Sequence, residues 1–135
     1  MYLLRSLAIA ISMYSKIPVP TVDWNEKNMK YAMCFFPVVG AASGGLQLLI
    51  GYLLLKYTSC GNLFFAIAMV LIPVIVSGGI HLDGFADTVD ALSSYGDREK
   101  KLEILKDPNT GAFAVIGLCV YFLADIALWS EVTGE

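Results

Sequence analysis

The chain has few charged residues and a single histidine. Only 16% of its 135 residues are Asp, Glu, Lys or Arg, whereas 57% are hydrophobic. A soluble domain of this size has too small a core to hide so much apolar surface. The composition therefore excludes an ordinary soluble fold and predicts a helical protein that places its apolar surface in lipid.

The sequence also lacks the residues that two other classes of protein require. Its net charge is −3, so there is no excess of basic residues to neutralise the phosphates of a nucleic acid. Its three cysteines form no C-x-x-C pair, which gives no indication of a disulfide framework or a zinc site. We therefore expect the lipid bilayer as a partner, and no nucleic acid.

Long hydrophobic runs are what the sequence has instead. A hydrocarbon layer of about 30 Å needs about 20 helical residues, and three runs are near or above that length: 31–55, 63–80 and 112–129. Residues 1–16 predict a shorter helix in the membrane interface, with Arg5 and Lys16 on one side and Ile9 as an apolar misfit near them. The fold class that follows is all-α: one domain, a polytopic integral membrane helix bundle with an N-terminal interfacial helix.

Basic residues are unevenly distributed between these runs. The polar segments 15–30 and 81–110 hold three and four of them, whereas the short turn 56–62 holds only Lys56. Because positively charged short loops stay in the cytoplasm, both longer segments are predicted to face it. The expected protein is multi-pass in the cell inner membrane, with a cytoplasmic acidic helical segment at 81–110.

Small residues recur within the first run. Gly40 and Gly44 form a G-x-x-x-G step, which lets another helix backbone approach closely. Packing inside one bundle is the interpretation that we favour, and a homo-oligomer is the second.

The most informative string is HLDGFADTVD at residues 81–90. In a helix, Asp83, Asp87 and Asp90 stand at positions i, i+4 and i+7 and share one face within about 60°. Three like charges repel one another unless a divalent cation lies between them, and carboxylate oxygens suit Mg²⁺. A solvated acidic face is the alternative, but carboxylates at the end of a span favour a metal site.

Five other residues in this string or after it are further candidates. His81 is a candidate base, although an ideal helix places it opposite the aspartates. Lys106 and Asp107 offer a cation and a fourth carboxylate to a phosphate site, but a helix end and a turn explain them equally well. Gly84 leaves room for a ligand or for a packed helix, and Arg98 is a candidate phosphate contact.

The strings HLDGFADTVDAL and LEILKDPNTGAF resemble the paired signature of the cobalamin synthase family, the adenosylcobinamide-GDP ribazoletransferases. SKIPVP at residues 15–20 and CFFPVVG at residues 34–40 are also similar to that family. The resemblance implies a transferase of cobalamin biosynthesis with Mg²⁺ as cofactor. It implies that the corrinoid phosphoryl group of adenosylcobinamide-GDP moves to α-ribazole, or to its phosphate, and that GMP is released.

The resemblance also implies roles for the candidate residues. Asp83, Asp87 and Asp90 correspond to metal ligands, and the catalytic set becomes Asp83, Asp87, Asp107 and His81. Substrate phosphate is then expected at Arg98, Lys106 and Gly84.

Two departures and two alternatives accompany this resemblance. The family often has Ser-Arg after Lys-Asp, where this chain has Pro108 and Asn109. Family chains also continue through further membrane helices, so residues 1–135 are expected to be the N-terminal part of a longer chain. A membrane phosphotransferase of the CDP-alcohol type is the alternative enzyme, and a membrane ion or metal transporter is the alternative from another class.

Thiol labelling tests the predicted orientation. In a background without native cysteines, Lys56→Cys should react when a membrane-impermeant thiol reagent is added to intact cells. Arg98→Cys should react only after the membrane is permeabilised. Labelling of Arg98→Cys but not Lys56→Cys in intact cells would reverse the topology.

Overall fold

The computed structural model describes residues 2–132, and every regular element in that range is helical. The α-helices are α1 Tyr2–Tyr14, α2 Glu26–Met29, α3 Phe36–Tyr57, α4 Asn62–Ser77, α5 Ile80–Ser93, α6 Arg98–Ile104 and α7 Ala112–Glu131. A 3₁₀ turn, Met33–Phe35, precedes α3. The all-α class predicted from composition is confirmed.

Membrane-spanning length is reached by two helical stretches of the described chain. They are Glu26–Tyr57, most of which is α3, and α7. The 16 residues of α4 extend only about 24 Å at roughly 1.5 Å each, less than a hydrocarbon layer of about 30 Å. Together α4 and α5 have the length and hydropathy of a span, but they form a pair bent by 95°. By length and composition, residues 2–132 therefore hold two candidate spans, or three if the pair counts as one.

Two consecutive glycines produce the bend between α4 and α5. Gly78 and Gly79 have φ of 65° and 81°, in the left-handed region that residues with a Cβ rarely adopt. Their amides donate to the Ile75 and Val74 carbonyls and so close the end of α4. The predicted run 63–80 is therefore helical only to Ser77 before the bend, and its last residue, Ile80, begins α5. The acidic string forms a new helix at a steep angle to α4.

Most other predicted boundaries lie within a few residues of the observed ones. The N-terminal helix is Tyr2–Tyr14 rather than 1–16, and the third apolar run forms Ala112–Glu131. The first run becomes α-helical only at Phe36, with Pro37 in the first turn of α3. Proline suits that position because the first turn does not use its missing amide hydrogen.

The N-terminal helix packs against α2 and α3. Its contact is a small core of Ile9, Ala10, Ala32 and Val39. The helical wheel placed Ile9 near the polar side, but its side chain is fully buried because that side faces the protein. The Ser6 hydroxyl adds a buried 2.6 Å hydrogen bond to the carbonyl of Asn28, just after α2 begins.

Close packing joins α7 to α5 as well as to α4. Small buried residues lie on both α5 and α7: Ala86, Ala91 and Ala114. At Gly117 a Cβ would come within 2.8 Å of Cγ1 of Val89. Small residues let helix backbones approach each other in lipid, and here they hold α5 in place along α7.

The G-x-x-x-G step of α3 is not used for close packing within the described chain. A Cβ added at Gly40 or Gly44 would meet no atom within 4 Å. Both glycines instead line a cavity of about 360 Å³ between α3, α4 and the start of α5. Packing inside the bundle is thus not seen at this step, and the homo-oligomer stays a prediction.

Substitution at Gly117 tests the α5–α7 contact. Gly117→Val is expected to destabilise the protein by about 1–3 kcal/mol, because the added atoms overlap Val89 in a packed interface. Gly40→Val is the matched control, since its Cβ enters open space. Thermal unfolding in detergent, followed by circular dichroism, measures both, and equal stability of the two variants would contradict the packing described.

Candidate functional site

A cavity of about 630 Å³ opens beside the glycine bend. The end of α1, the start of α5 and part of α7 line it. Its polar lining comprises one carboxylate, one ammonium group and several hydroxyls: Asp83, Lys16, Ser12, Ser15, Ser77 and Thr110. A cleft with a few convergent polar groups is the usual form of a small-molecule site, so this cavity is the candidate site.

Asp83 and Asp87 lie one turn apart on α5, with Asp83 lining the cavity. Both are exposed, and their i, i+4 spacing places them on one face. The hydroxyl nearest in sequence, Thr88, donates to the Gly84 carbonyl at 2.7 Å instead of to a carboxylate. In the described chain the two carboxylates therefore keep their oxygens free for a ligand.

Asp90 has a different environment from the other two aspartates. Its carboxylate packs against Gly111, at a place where any Cβ on residue 111 would overlap it. Gly111 is the N-cap of α7, and the positive end of a helix macrodipole favours a negative charge there. Asp90 thus stabilises the start of α7. The sequence pattern of Asp90 does not show this role, and a glycine at a helix start is too common to have indicated it.

Residues 2–132 contain no group of three His, Cys, Asp or Glu side chains that could hold a metal ion. Asp83, Asp87 and Asp90 therefore do not form a three-ligand site by themselves. Mg²⁺ does not require one, because it keeps several waters and binds through one or two carboxylates together with substrate phosphates. Asp83 and Asp87 have the hard oxygen donors for that role, so the Mg²⁺ site stays a prediction centred on this pair.

His81 lies on the other side of α5 from the aspartates. Its ring stacks on Tyr14 with centroids 6.1 Å apart and meets the Phe36 ring edge-on at 5.6 Å. The turn at Gly78 and Gly79 does not bring His81 to the aspartates, because α5 begins at Ile80 and holds both His81 and Asp83. Residues two apart on one helix lie on opposite sides of it. The structure does not bring His81 into the Asp83 cavity, and its visible contacts are aromatic packing.

Three predicted phosphate contacts are exposed and do not line the cavity: Gly84, Arg98 and Lys106. A Cβ at Gly84 would meet nothing within 4 Å, so no described helix packs there. Arg98 begins α6, after its Asp97 cap, and Lys106 follows that helix. Their roles as phosphate contacts stay predictions.

Asp107 is held in a turn by Asn109. Its carboxylate accepts a 2.9 Å hydrogen bond from the Asn109 backbone amide and a 2.7 Å bond from the Asn109 side chain. These hydrogen bonds lower the pKa of Asp107 below its usual value, because they stabilise the ionised form. A carboxylate with a lowered pKa is a weaker base, so Asp107 is less suited than an ordinary aspartate to remove a hydroxyl proton.

Lys16 is the cavity residue that sequence analysis did not select. The sequence places it in the interfacial helix, but α1 ends at Tyr14, and Lys16 lies beyond it beside the bend. Its backbone amide donates to the Val76 carbonyl at 2.7 Å. An available signal was Pro18, which disfavours helical backbone at Ile17 and so indicates that the helix ends before it.

Comparison with known proteins places these residues in a wider context. Residues 6–135 match the family described as cobalamin-5-phosphate synthase. A protein named adenosylcobinamide-GDP ribazoletransferase from Lachnoclostridium phytofermentans is 51% identical over 133 residues, covering 96% of this chain and 49% of the relative. Proteins of the same name from Clostridium botulinum (strain Eklund 17B) and Treponema denticola are 40% and 36% identical over 89% of this chain, and over 47% and 45% of their own lengths.

The chain thus spans about half the length of the curated relatives that it matches. No solved structure matches it.

The contact between Asp90 and Gly111 predicts unequal effects of two aspartate substitutions. Asp87→Asn and Asp90→Asn both relieve repulsion along α5, but only the second removes charge from the start of α7. Asp90→Asn should therefore be less stable than Asp87→Asn by about 0.3–1 kcal/mol. Thermal unfolding in detergent at low ionic strength gives the comparison, and an equally stable pair would remove the role assigned to Asp90.

Proposed function

Since the chain belongs to the cobalamin-5-phosphate synthase family, we propose that it forms part of a membrane enzyme of cobalamin nucleotide-loop assembly. The reaction transfers the corrinoid phosphoryl group of adenosylcobinamide-GDP to α-ribazole, or to its phosphate. The names of the curated relatives support this choice of substrates. Within the site, the observation that carries the proposal is the free Asp83–Asp87 pair beside a cavity that also holds a lysine.

The transfer forms one phosphorus–oxygen bond and breaks another. The 5′-hydroxyl oxygen of the acceptor attacks the phosphorus on the corrinoid side of the diphosphate, the bridging bond to GMP breaks, and GMP leaves. Such a displacement depends on neutralised phosphate oxygens and an aligned hydroxyl more than on a protein nucleophile. To support this transfer, the cavity needs positive charge beside the phosphate oxygens and groups that position the acceptor hydroxyl.

Two carboxylates supply the remaining groups: a binding site for Mg²⁺ and an acceptor for the hydroxyl proton. Asp83 and Asp87 are the residues that would hold Mg²⁺, which supplies positive charge to the diphosphate oxygens when it is bound. The hydroxyl proton goes to a carboxylate, and Asp83 is the candidate that faces the cavity. Asp107 is the weaker candidate because of its lowered pKa.

The cellular setting is part of the proposal. We place the segment 81–110 on the cytoplasmic side of the inner membrane, where a nucleotide-linked substrate is accessible. The excess of basic residues in segments 15–30 and 81–110 supports this orientation.

The two alternatives receive less support. A CDP-alcohol phosphotransferase would have to belong to another family than the one that this chain matches. A transporter would require carboxylates within the spans, whereas Asp83 and Asp87 lie on α5, outside the two unbroken helices of spanning length. Asp125 lies in the interior of α7, in a cavity otherwise lined by Tyr121 and apolar residues, so no second carboxylate joins it there.

Replacement of each aspartate tests the proposed chemistry. Asp83→Asn and Asp87→Asn, made in the full gene product, should reduce Mg²⁺-dependent GMP release from adenosylcobinamide-GDP by at least about 100-fold. Asparagine keeps the shape and one acceptor oxygen but removes the charge that binds a cation. The assay compares membranes that contain equal amounts of each variant.

Glu103→Gln is the matched control, because it makes the same chemical change at an exposed position of α6. Lys101 is less suitable as a control, since its ammonium group donates to the Leu92 carbonyl at the end of α5. Near-normal GMP release by both aspartate variants would remove the assignment of this pair.

A further inference from the structure

The side chain of Lys16 lies directly over Gly78. A Cβ added to Gly78 would overlap the Lys16 side chain at Cγ and Cε. Glycine is thus needed at residue 78 for two reasons, its left-handed φ of 65° and the lysine stem that covers it. Together with the hydrogen bond from the Lys16 amide to Val76, this contact holds the start of the lysine side chain at the glycine bend.

The lysine enters the cavity that Asp83 also lines. Among the residues that line it, Lys16 is the one cation and Asp83 the one carboxylate. The two groups form no ion pair with each other in the described chain, so both remain available to a ligand in this cavity. Hydroxyls of Ser12, Ser77 and Thr110 also line this cavity.

This set of groups has the chemistry of a phosphate site. An ammonium group binds phosphate oxygens as a compact positive charge, through charge-assisted hydrogen bonds that are stronger than neutral ones. Thr110 adds a hydroxyl donor, whereas the Ser12 and Ser77 hydroxyls already donate to the Ile9 and Val74 carbonyls. Asp83, which lines the same cavity, would repel a phosphate unless a cation lay between them, and this is the position that the proposed Mg²⁺ requires.

We propose that Lys16 binds the diphosphate of the nucleotide-linked substrate in the Asp83 cavity. This inference rests on the proposed function and adds a substrate-binding residue to it. Lys16 holds the donor, whereas the acceptor makes no contact with it. Loss of the lysine charge should therefore weaken donor binding and leave acceptor binding unchanged.

Three variants of the full gene product separate the lysine charge from its stem. Lys16→Met keeps an unbranched apolar stem over Gly78 but removes the ammonium group, and Lys16→Arg keeps the charge. Lys27→Met is the matched control, because Lys27 lies on α2 over the Tyr2 ring and does not line the cavity. If Lys16→Met fails to accumulate, Lys16→Gln replaces it.

Two readouts are compared. The first is the KM for adenosylcobinamide-GDP and, separately, for α-ribazole, and the second is the affinity of the detergent-solubilised protein for inorganic pyrophosphate. Lys16→Met should raise the donor KM and weaken pyrophosphate binding by about 10- to 100-fold, the range expected for a hydrogen bond to a charged group. Lys16→Arg should keep a donor KM and a pyrophosphate affinity close to those of the wild type. The α-ribazole KM should not change in either variant.

The outcomes distinguish this inference from the proposed function. Unchanged donor KM and pyrophosphate affinity in Lys16→Met would overturn it and leave the lysine as a packing residue or as a contact to lipid phosphate. A rise in the α-ribazole KM alone would also overturn it. Pyrophosphate binding that depends on Lys16, in a wild-type protein that releases no GMP, would support the anion site and overturn the proposed reaction.

Discussion

The left-handed conformation of Gly78 and Gly79 is the constraint on which the rest of the site depends. It ends α4 after Ser77 and sends α5 away at 95°. Without that turn, the acidic string would extend α4, and the Lys16 side chain after α1 would not lie against Gly78. Because the lysine stem lies where a side chain on Gly78 would be, the same residue positions both Asp83 and Lys16.

The charges of Asp83, Asp87 and Lys16 favour binding of a ligand, because the two carboxylates repel each other when no cation is present. Like charges at i, i+4 on an exposed helix repel by only about 0.2–0.5 kcal/mol, and the penalty grows where lipid and protein replace water. Asp83 and Asp87 gain no hydrogen bond from α5 itself, since the Thr88 hydroxyl is used by the Gly84 carbonyl. A cation and a diphosphate would satisfy the carboxylates and the lysine together.

The contact between α5 and α7 gives the three aspartates unequal roles. Gly111 and Gly117 bring α7 close to α5, against Asp90 and Val89 respectively. One carboxylate is thereby used at a helix start, while the other two remain beside or near the cavity. The three aspartates on one face of α5 thus divide into a structural residue and a candidate ligand pair.

The sequence by itself determined the helices and the acidic string, because those features depend on neighbours within a few residues. The apolar run 112–129 predicts α7, which the structure confirms as Ala112–Glu131. Only the tertiary structure decided that Lys16 lies beside Asp83, that Asp90 lies against Gly111, and that His81 packs between Tyr14 and Phe36. These pairs join residues far apart in the chain, and their contacts follow from the direction of the glycine bend and the packing of α7, which no local pattern specifies.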